Sequence, residues 1–463
     1  MFIHYNKLIK DVYYLNNLII INEIKSFHCK YLVYPFIQNK YDNLTEPSEI
    51  VSELLSLEYV TNIKIGEPTQ TIRSFIDFTK FHFYISNVTS NREYLLENSL
   101  TFNTKDDHDK ILYTYSFVSG KYANDTLTID LKDLYSNSSQ NHIQIRDFVF
   151  SMPSEYKIKN RKMFPSSIGL GFSYSNSNSK LNFLTQLNLK KVLNNTHFFF
   201  EFDDDLSGKL YLGILPHELY TNKYFSDNFY KVYTNINNYL DEWSFRGNFI
   251  YNYNENENEF NVSINKKNMK LVLDLNLNGI IMDYSYFSIF NKTFFHEYLN
   301  NGICKIKHDE YYYIYCEKDK ININNFKTIF FYQKDFNFTF KFDYNDLFII
   351  KHNYYIFNIF FDVNGFNHLL HAGKIFFRKY LLSFDYEQKM IGFYLDKPEQ
   401  KGLNLEDNNK NSQLIIICSL IFVFIVLVFL IVIFIKYCCG NKGRKLRKNE
   451  IDENYDYSIQ NND

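Results

Sequence analysis

From Leu414 to Ile435 the chain reads LIIICSLIFVFIVLVFLIVIFI, 22 residues without a charge. At about 1.5 Å of helical rise per residue, such a run crosses the ~30 Å hydrocarbon core of a bilayer. A helix buried in a globular core would be shorter and would carry a polar face. The run therefore reads as a transmembrane helix, bounded at 413–436. Lys436, Lys442, Arg444, Lys445, Arg447 and Lys448 follow it, whereas the residues before it, EDNNKNSQ, are nearly neutral. Positive charge stays on the cytoplasmic side, so the tail 437–463 is expected in the cytoplasm and the chain before Leu414 outside it, in the secretory lumen or the extracellular space. A basic tail also argues against a lipid-anchor signal that is cut away. At the other end, Val12 to Ile21 follows Lys7 and Lys10, but Asn16 and Asn17 interrupt its apolar run. The segment 1–49 reads as a cryptic signal or anchor, or as a prosegment.

Hydrophobic residues make up 46% of the chain and charged residues 22%, which excludes a disordered polymer. A net charge of -2 gives no global basic field, so nucleic acid is not an expected partner. Six cysteines are too few and too scattered for a disulfide scaffold, and no His/Cys cluster has zinc spacing. No metal and no organic cofactor is implied. Cys304 and Cys316 are close enough in sequence to bridge in an oxidising compartment. With Tyr 40 and Phe 47 against Gly 15 and Pro 7, the composition has the drift of an AT-biased genome. A missing glycine then says less than usual, but its steric job still has to be filled.

Between about residue 50 and residue 398 the pattern is strand. Short aromatic and β-branched runs such as YVTNIKIG, FHFYISN, HFFFEF, KLYLGI and MIGFYL are separated by Asn/Asp/Ser clusters. Residues 173–179 and 252–258 read as loops, and 400–412 as a polar stalk. Two segments share a form, an apolar strand ending in Asp and a polar-aromatic turn: Phe75-Ile76-Asp77-Phe78-Thr79-Lys80 and Ile281-Met282-Asp283-Tyr284-Ser285-Tyr286. Each has a later apolar stretch ending near glycine, Ile168-Gly169-Leu170-Gly171 and Leu370-His371-Ala372-Gly373. The pattern predicts an all-β, bilobal protein with an N-terminal lobe at 50–222, a C-terminal lobe at 223–399, and one Asp from each lobe at the junction. Two carboxylates that share a proton can activate water for amide hydrolysis.

The chain resembles the pepsin-like aspartic proteases, plasmepsins included. Tyr59 through Gly66, Pro68 and Gln70 to Asp77 is similar to the family's opening strands without a gap. Phe83-Tyr84-Ile85 sits where the family has Leu-Trp-Val. Tyr113, with Gly120 and Asp125-Thr126-Leu127 behind it, resembles the flap hairpin. Gly208 to Gly213 is similar to the interlobe strand, and Trp243 opens the second lobe. Gly373 to Tyr380, Phe384-Asp385 and Ile391-Gly392-Phe393 resemble the closing strands. The resemblance implies a catalytic dyad of Asp77 and Asp283, with Tyr113 on the flap and a peptide or protein in the interlobe cleft. It also places Cys316 at the later cysteine of the family's second-lobe disulfide.

The signature itself is altered. The family carries Asp-Thr-Gly-Ser or Asp-Thr/Ser-Gly-Thr, in which Thr ties the two turns together, Gly lets a backbone N–H approach the carboxylate, and the last hydroxyl donates to it. Here Phe78, Thr79 and Lys80 follow Asp77, while Tyr284, Ser285 and Tyr286 follow Asp283. Phe78 and Tyr284 cannot copy the short Thr link, and Thr79 and Ser285 are expected to crowd the carboxylate. A cation at Lys80 would oppose proton sharing. Lys374 stands where the family often has Asp. These departures point to a membrane-anchored pseudoprotease that binds in its cleft. The alternatives are an active aspartic endopeptidase working at acid pH, and a structural surface protein whose cleft is filled by its own aromatic side chains. Oligomeric state is not readable.

Overall fold

Short alternating runs become strands because every second side chain can be buried on one face of a sheet. Leu32–Asn39 (β1) shows it: Leu32, Tyr34 and Phe36 are buried while Val33 and Ile37 face out. The computed structural model describes residues 31–394 apart from 40–43, 87–92, 106–109, 114–115, 131–141, 154–164, 172–180, 235–241, 251–252, 255–258, 261–268, 327, 334–337 and 364–368. After β1 comes the helix Pro47–Leu54 (α1), whose proline sits in the first turn, where no N–H is needed. Glu58–Ile65 (β2), Gln70–Asp77 (β3), Tyr84–Ile85 (β4), Ser116–Asp130 (β5), His142–Pro153 (β6), Ser166–Gly169 (β7), His197–Phe202 (β8) and Ser207–Leu212 (β9) join β1 in a sheet of 14 strands.

A second sheet of 11 strands holds Met269–Leu273 (β10), Ile280–Asp283 (β11), Ile359–Asp362 (β12) and Leu369–Ala372 (β13). The chain then forms the helix Lys374–Lys379 (α2) and returns to the first sheet as Ser383–Asp385 (β14) and Met390–Tyr394 (β15). There β14 pairs with β8 and with β15. The architecture is thus mostly β and bilobal, and the last strands of the C-terminal half lie in the sheet of the N-terminal half. One continuous aromatic and aliphatic core runs through both.

Residues 32–39 and 44–54 are built into this fold. β1 lies between β9 and β2. On α1, Ile50, Val51 and Leu54 are buried with Tyr313, Ile356 and Phe360 of the second sheet. The boundary read at residue 50 therefore does not fall at an edge of the structure. Cys304 and Cys316 face each other across the hairpin of Cys304–His308 and Tyr312–Glu317 and form a disulfide, with Cα atoms 4.0 Å apart. The described residues all fall in one compact unit, and the second unit, Leu403–Asp463, lies outside them. The apolar run at 414–435 falls in that second unit. Among the described residues no helix is long and apolar enough to cross a membrane.

Candidate active site

Strand pairing sets out two matching frames. In the first lobe β3 runs parallel to β7 with Asp77 opposite Gly169, β7 is antiparallel to β4, and β4 is parallel to β6. In the second lobe β10 runs parallel to β13 with Leu273 opposite Ala372, β13 is antiparallel to β11, and β11 is parallel to β12. The register continues Asp274 to a position opposite Gly373. The two frames match strand for strand, so the counterpart of Asp77 is Asp274. Tyr84 stands seven residues after Asp77, and Ile281 seven after Asp274, each on the strand that follows. Asp283 is the counterpart of Ser86.

The second turn is thus Asp274-Leu275-Asn276-Leu277 and not the turn at Asp283. Leu271-Val272-Leu273-Asp274 and Ile280-Ile281-Met282-Asp283 are both apolar strands ending in Asp, and only their pairing separates them. The polar-aromatic turn after Asp283 resembles the turn after Asp77, which is what drew the assignment there. The seven-residue offset from Asp to the next strand was the signal that could have found Asp274. Both frames also need glycine at the crossing strand. A Cβ on Gly169 would lie 2.5 Å from the backbone of Phe81, and one on Gly373 would lie 2.2 Å from the carbonyl oxygen of Leu277.

At the first turn, Asp77 is 4% exposed. Its Oδ1 accepts from the Thr79 N–H at 3.0 Å, the Thr79 hydroxyl at 2.8 Å and the Lys80 N–H at 3.0 Å. Thr79 does not crowd the carboxylate, because its N–H keeps the approach expected of glycine and its hydroxyl adds a donor. The Lys80 ammonium lies 3.4 Å from Oδ2. Asp77 is therefore an ion-paired carboxylate whose hydrogen bonds among the described residues come from its own turn. Nearby His82 is buried, and burial together with the Lys80 charge pushes its imidazole down to about 3. Asn182 braces the turn from beneath, donating to the carbonyls of Phe81 and Gly169 at 3.1 and 3.0 Å.

The Phe78 ring points away from the carboxylate. It is 1% exposed and meets Phe198, Phe200, Trp243, Phe377 and Phe384 with ring centres 5.1 to 6.4 Å apart. This aromatic cage draws on β8, α2 and β14 as well as Trp243, so the ring ties the turn to the interlobe sheet. The tie between the two turns comes from Asn276. Its Oδ1 accepts from the Phe78 N–H at 3.2 Å, and its Nδ2 donates to the carbonyls of Ile76 at 3.2 Å and Leu57 at 3.3 Å. Its own N–H donates to Asp274 Oδ1 at 3.0 Å, the same local turn that Thr79 makes with Asp77. Trp243 adds a second crossing bond, from Nε1 to the Leu170 carbonyl at 2.9 Å.

Asp283 caps a short helical turn, Tyr284–Tyr286, by accepting from the Ser285 N–H at 2.8 Å. Tyr284 is exposed and stacks on Phe287 with ring centres 5.3 Å apart, so it does not lie between the Asp turns. Tyr286 is buried in the second lobe. Tyr113 ends a strand, Lys110–Tyr113, that pairs with the start of β5, and the tip at 114–115 lies outside the described residues. Among the described residues no group of three or more His, Cys, Asp or Glu is arranged to hold a metal ion.

The fold is that of the pepsin-like aspartic proteases. Basic 7S globulin from soybean superposes with a TM-score of 0.57 at 13% identity, over 81% of this chain and 96% of that one. Conglutin gamma, a basic 7S globulin from lupine seeds, gives 0.56 at 13% identity, over 79% and 95%. No family model and no curated protein matches the chain. Neither structural neighbour is a plasmepsin, so the comparisons carry the fold and not the plasmepsin likeness.

Proposed function

We propose that the chain is a catalytically impaired protein of pepsin-like fold that binds a peptide or protein segment between its lobes. The observation that carries this reading is the ion pair of Lys80 with Asp77, closed on the other oxygen by three donors of the same turn. Water activation by two carboxylates needs a proton shared between them. A carboxylate whose outer oxygen is ion-paired with an ammonium is engaged there and not with a second carboxylate. All six residues after Asp77 and Asp274 differ from the signature, and a misplacement of about 1 Å in such a centre can cost ~100-fold in rate. Incubating the full chain in detergent with a diverse peptide library at acid pH, beside Asp77→Ala, tests it. Cleavage no greater than in the variant is expected.

The active reading has one observation in its favour: an Asp stands at each of the two symmetry-related turns. Cleavage abolished by both Asp77→Ala and Asp274→Ala, but not by Asp283→Ala, would establish it and end the pseudoprotease reading. We further propose that the apolar run 414–435 anchors the protein in a membrane, with residues before Leu414 outside the cytoplasm. Protection of a C-terminal tag from protease in sealed cytoplasm-out vesicles would refute that orientation.

A further inference from the structure

Lys374 opens α2 and is 4% exposed. Its ammonium nitrogen donates to Gln38 Oε1 at 2.8 Å and to the carbonyl of Asp205. It also lies 5.8 Å from the ring centres of Tyr59 and Phe202. These partners belong to β1, to the turn between β8 and β9, to β2 and to β8. The backbone around the same residue holds the second Asp turn. Gly373 N–H donates to Gly279, Lys374 N–H to Leu277 and Ile375 N–H to Asn278, at 2.8, 2.6 and 3.2 Å. The Lys374 side chain therefore plugs the floor of the first lobe while the backbone of residues 373–375 grips residues 277–279. Through Asn276 that grip continues to Ile76 and Phe78, on either side of Asp77.

The charged groups facing this amine are Arg378 on α2, Asp204 and Asp205 on the β8–β9 turn, and Lys351 from the strand Phe348–Lys351. Neither carboxylate of the β8–β9 turn is aimed at it. Asp205 pairs with Arg378, and Asp204 Oδ1 accepts from the N–H groups of Leu206 and Ser207 at 2.6 Å each. Two neutral acceptors satisfy an uncharged amine, whereas an ammonium here would be buried with no counter-charge beyond the two ring faces. A charged one would need Asp204 or Asp205 to leave its present partner, or the side chain to withdraw. Burial and the Arg378 charge agree with the geometry, pushing the amine down to about 7.

We propose that Lys374 is a proton-operated positioning residue: its neutral amine holds the second Asp turn in register with the first, and its protonation loosens that turn. This does not depend on whether Asp77 and Asp274 carry out chemistry.

Hydrogen–deuterium exchange on the full chain in detergent, followed at residues 76–81 and 274–280 and corrected for intrinsic rates, tests it. Wild type is expected to lose protection about 10-fold or more between about pH 8.5 and about pH 6, about one decade per unit of pH above the midpoint and levelling off below it. Lys374→Met, which has no amine to hold the turn or to take up a proton, should show a protection that does not change with pH, and Lys374→Arg, always charged, should be loose at both ends. Wild-type protection that does not change with pH, or a change that Lys374→Met shares, overturns the proposal. Should Lys374→Arg fail to fold, 13C-lysine spectra of wild type decide. The Cε signal missing from Lys374→Met should titrate near neutrality, and titration in the ordinary lysine range sinks the idea.

Discussion

Replacing Asn276 with alanine should loosen the lobes from each other without touching either Asp. The side chain makes three bonds of 3.2, 3.2 and 3.3 Å to Phe78, Ile76 and Leu57, which flank the first turn or precede β2. A hydrogen bond contributes about 1 kcal/mol net, and a buried group left without its partner costs about 1–3 kcal/mol. The site is half-buried, so water can take up part of the loss, and the expected destabilisation is about 3–4 kcal/mol. At roughly 2 °C per kcal/mol for a fold of this size, the melting temperature should fall by about 6–8 °C. Trp243, the only tryptophan, sits in the Phe78 cage and bonds across the junction, so its fluorescence reads this site directly. Asn276→Asp keeps the acceptor for the Phe78 N–H but sets a carboxylate against two carbonyls. It should be at least as destabilising as alanine. A loss under about 1 kcal/mol for Asn276→Ala, or a milder effect of Asn276→Asp, would refute the assignment of the tie to Asn276.

Phe78→Thr, which places the residue of the pepsin-like signature after Asp77, should destabilise by about 3–5 kcal/mol in denaturant titration, because it empties the aromatic cage. A loss below about 1 kcal/mol would mean the ring is not packed as described. Cys304→Ser with Cys316→Ser should cost about 3 kcal/mol for so short a closed loop, read as a lower denaturation midpoint that reducing agent no longer affects. An unchanged midpoint would show that the bridge does not constrain the unfolded chain. Burial lowers the Lys374 amine from 10.5 to about 7. Between those values the unfolded chain holds a proton that the folded one lacks, so stability rises with pH across that window. Below it both states are charged and the fold bears the whole cost of the buried ammonium. Lys374→Met should therefore gain most over wild type at acid pH, by a few kcal/mol, and a pH-independent difference in unfolding free energy would contradict it.

The strands, the two lobes and the first Asp turn were legible because they rest on local pattern. Aromatic alternation marks a strand, and Phe75-Ile76-Asp77 is an apolar strand that ends on a polar turn. Asp274 was not legible on the same terms. Its strand and that of Asp283 have one pattern, and what distinguishes them is the partner across the sheet, Leu369–Ala372 in parallel for one and antiparallel for the other. The effect of Thr79 was misjudged for a related reason. A residue type predicts crowding only if its side chain points at the neighbour, and here the hydroxyl turns in as a donor. The role of β1 and α1 was hidden because these elements gain their structure from strands far along the chain, Ser207–Leu212 and Tyr354–Phe357 among them.

The two turns separate jobs that the pepsin-like signature combines. Its threonine ties the turns, while its glycine and final hydroxyl serve the carboxylate. In this chain the structural job is done by larger groups at neighbouring positions. The Phe78 ring fixes one turn to the interlobe sheet by packing, and the Asn276 amide spans the gap by hydrogen bonds to both sides of Asp77. Neither group needs a charge on the aspartates, and neither needs them to share a proton. The lobes can then keep their relation while Lys80 supplies the ion pair at Asp77. Removing Lys80 should therefore change what the carboxylate can do without moving the frame that holds it. Binding of a hydroxyl-bearing transition-state mimic, absent in wild type and gained in Lys80→Ser at unchanged stability, is the expected sign that the two jobs are separable. Gain of binding only together with a loss of several kcal/mol would show that Lys80 belongs to the frame after all.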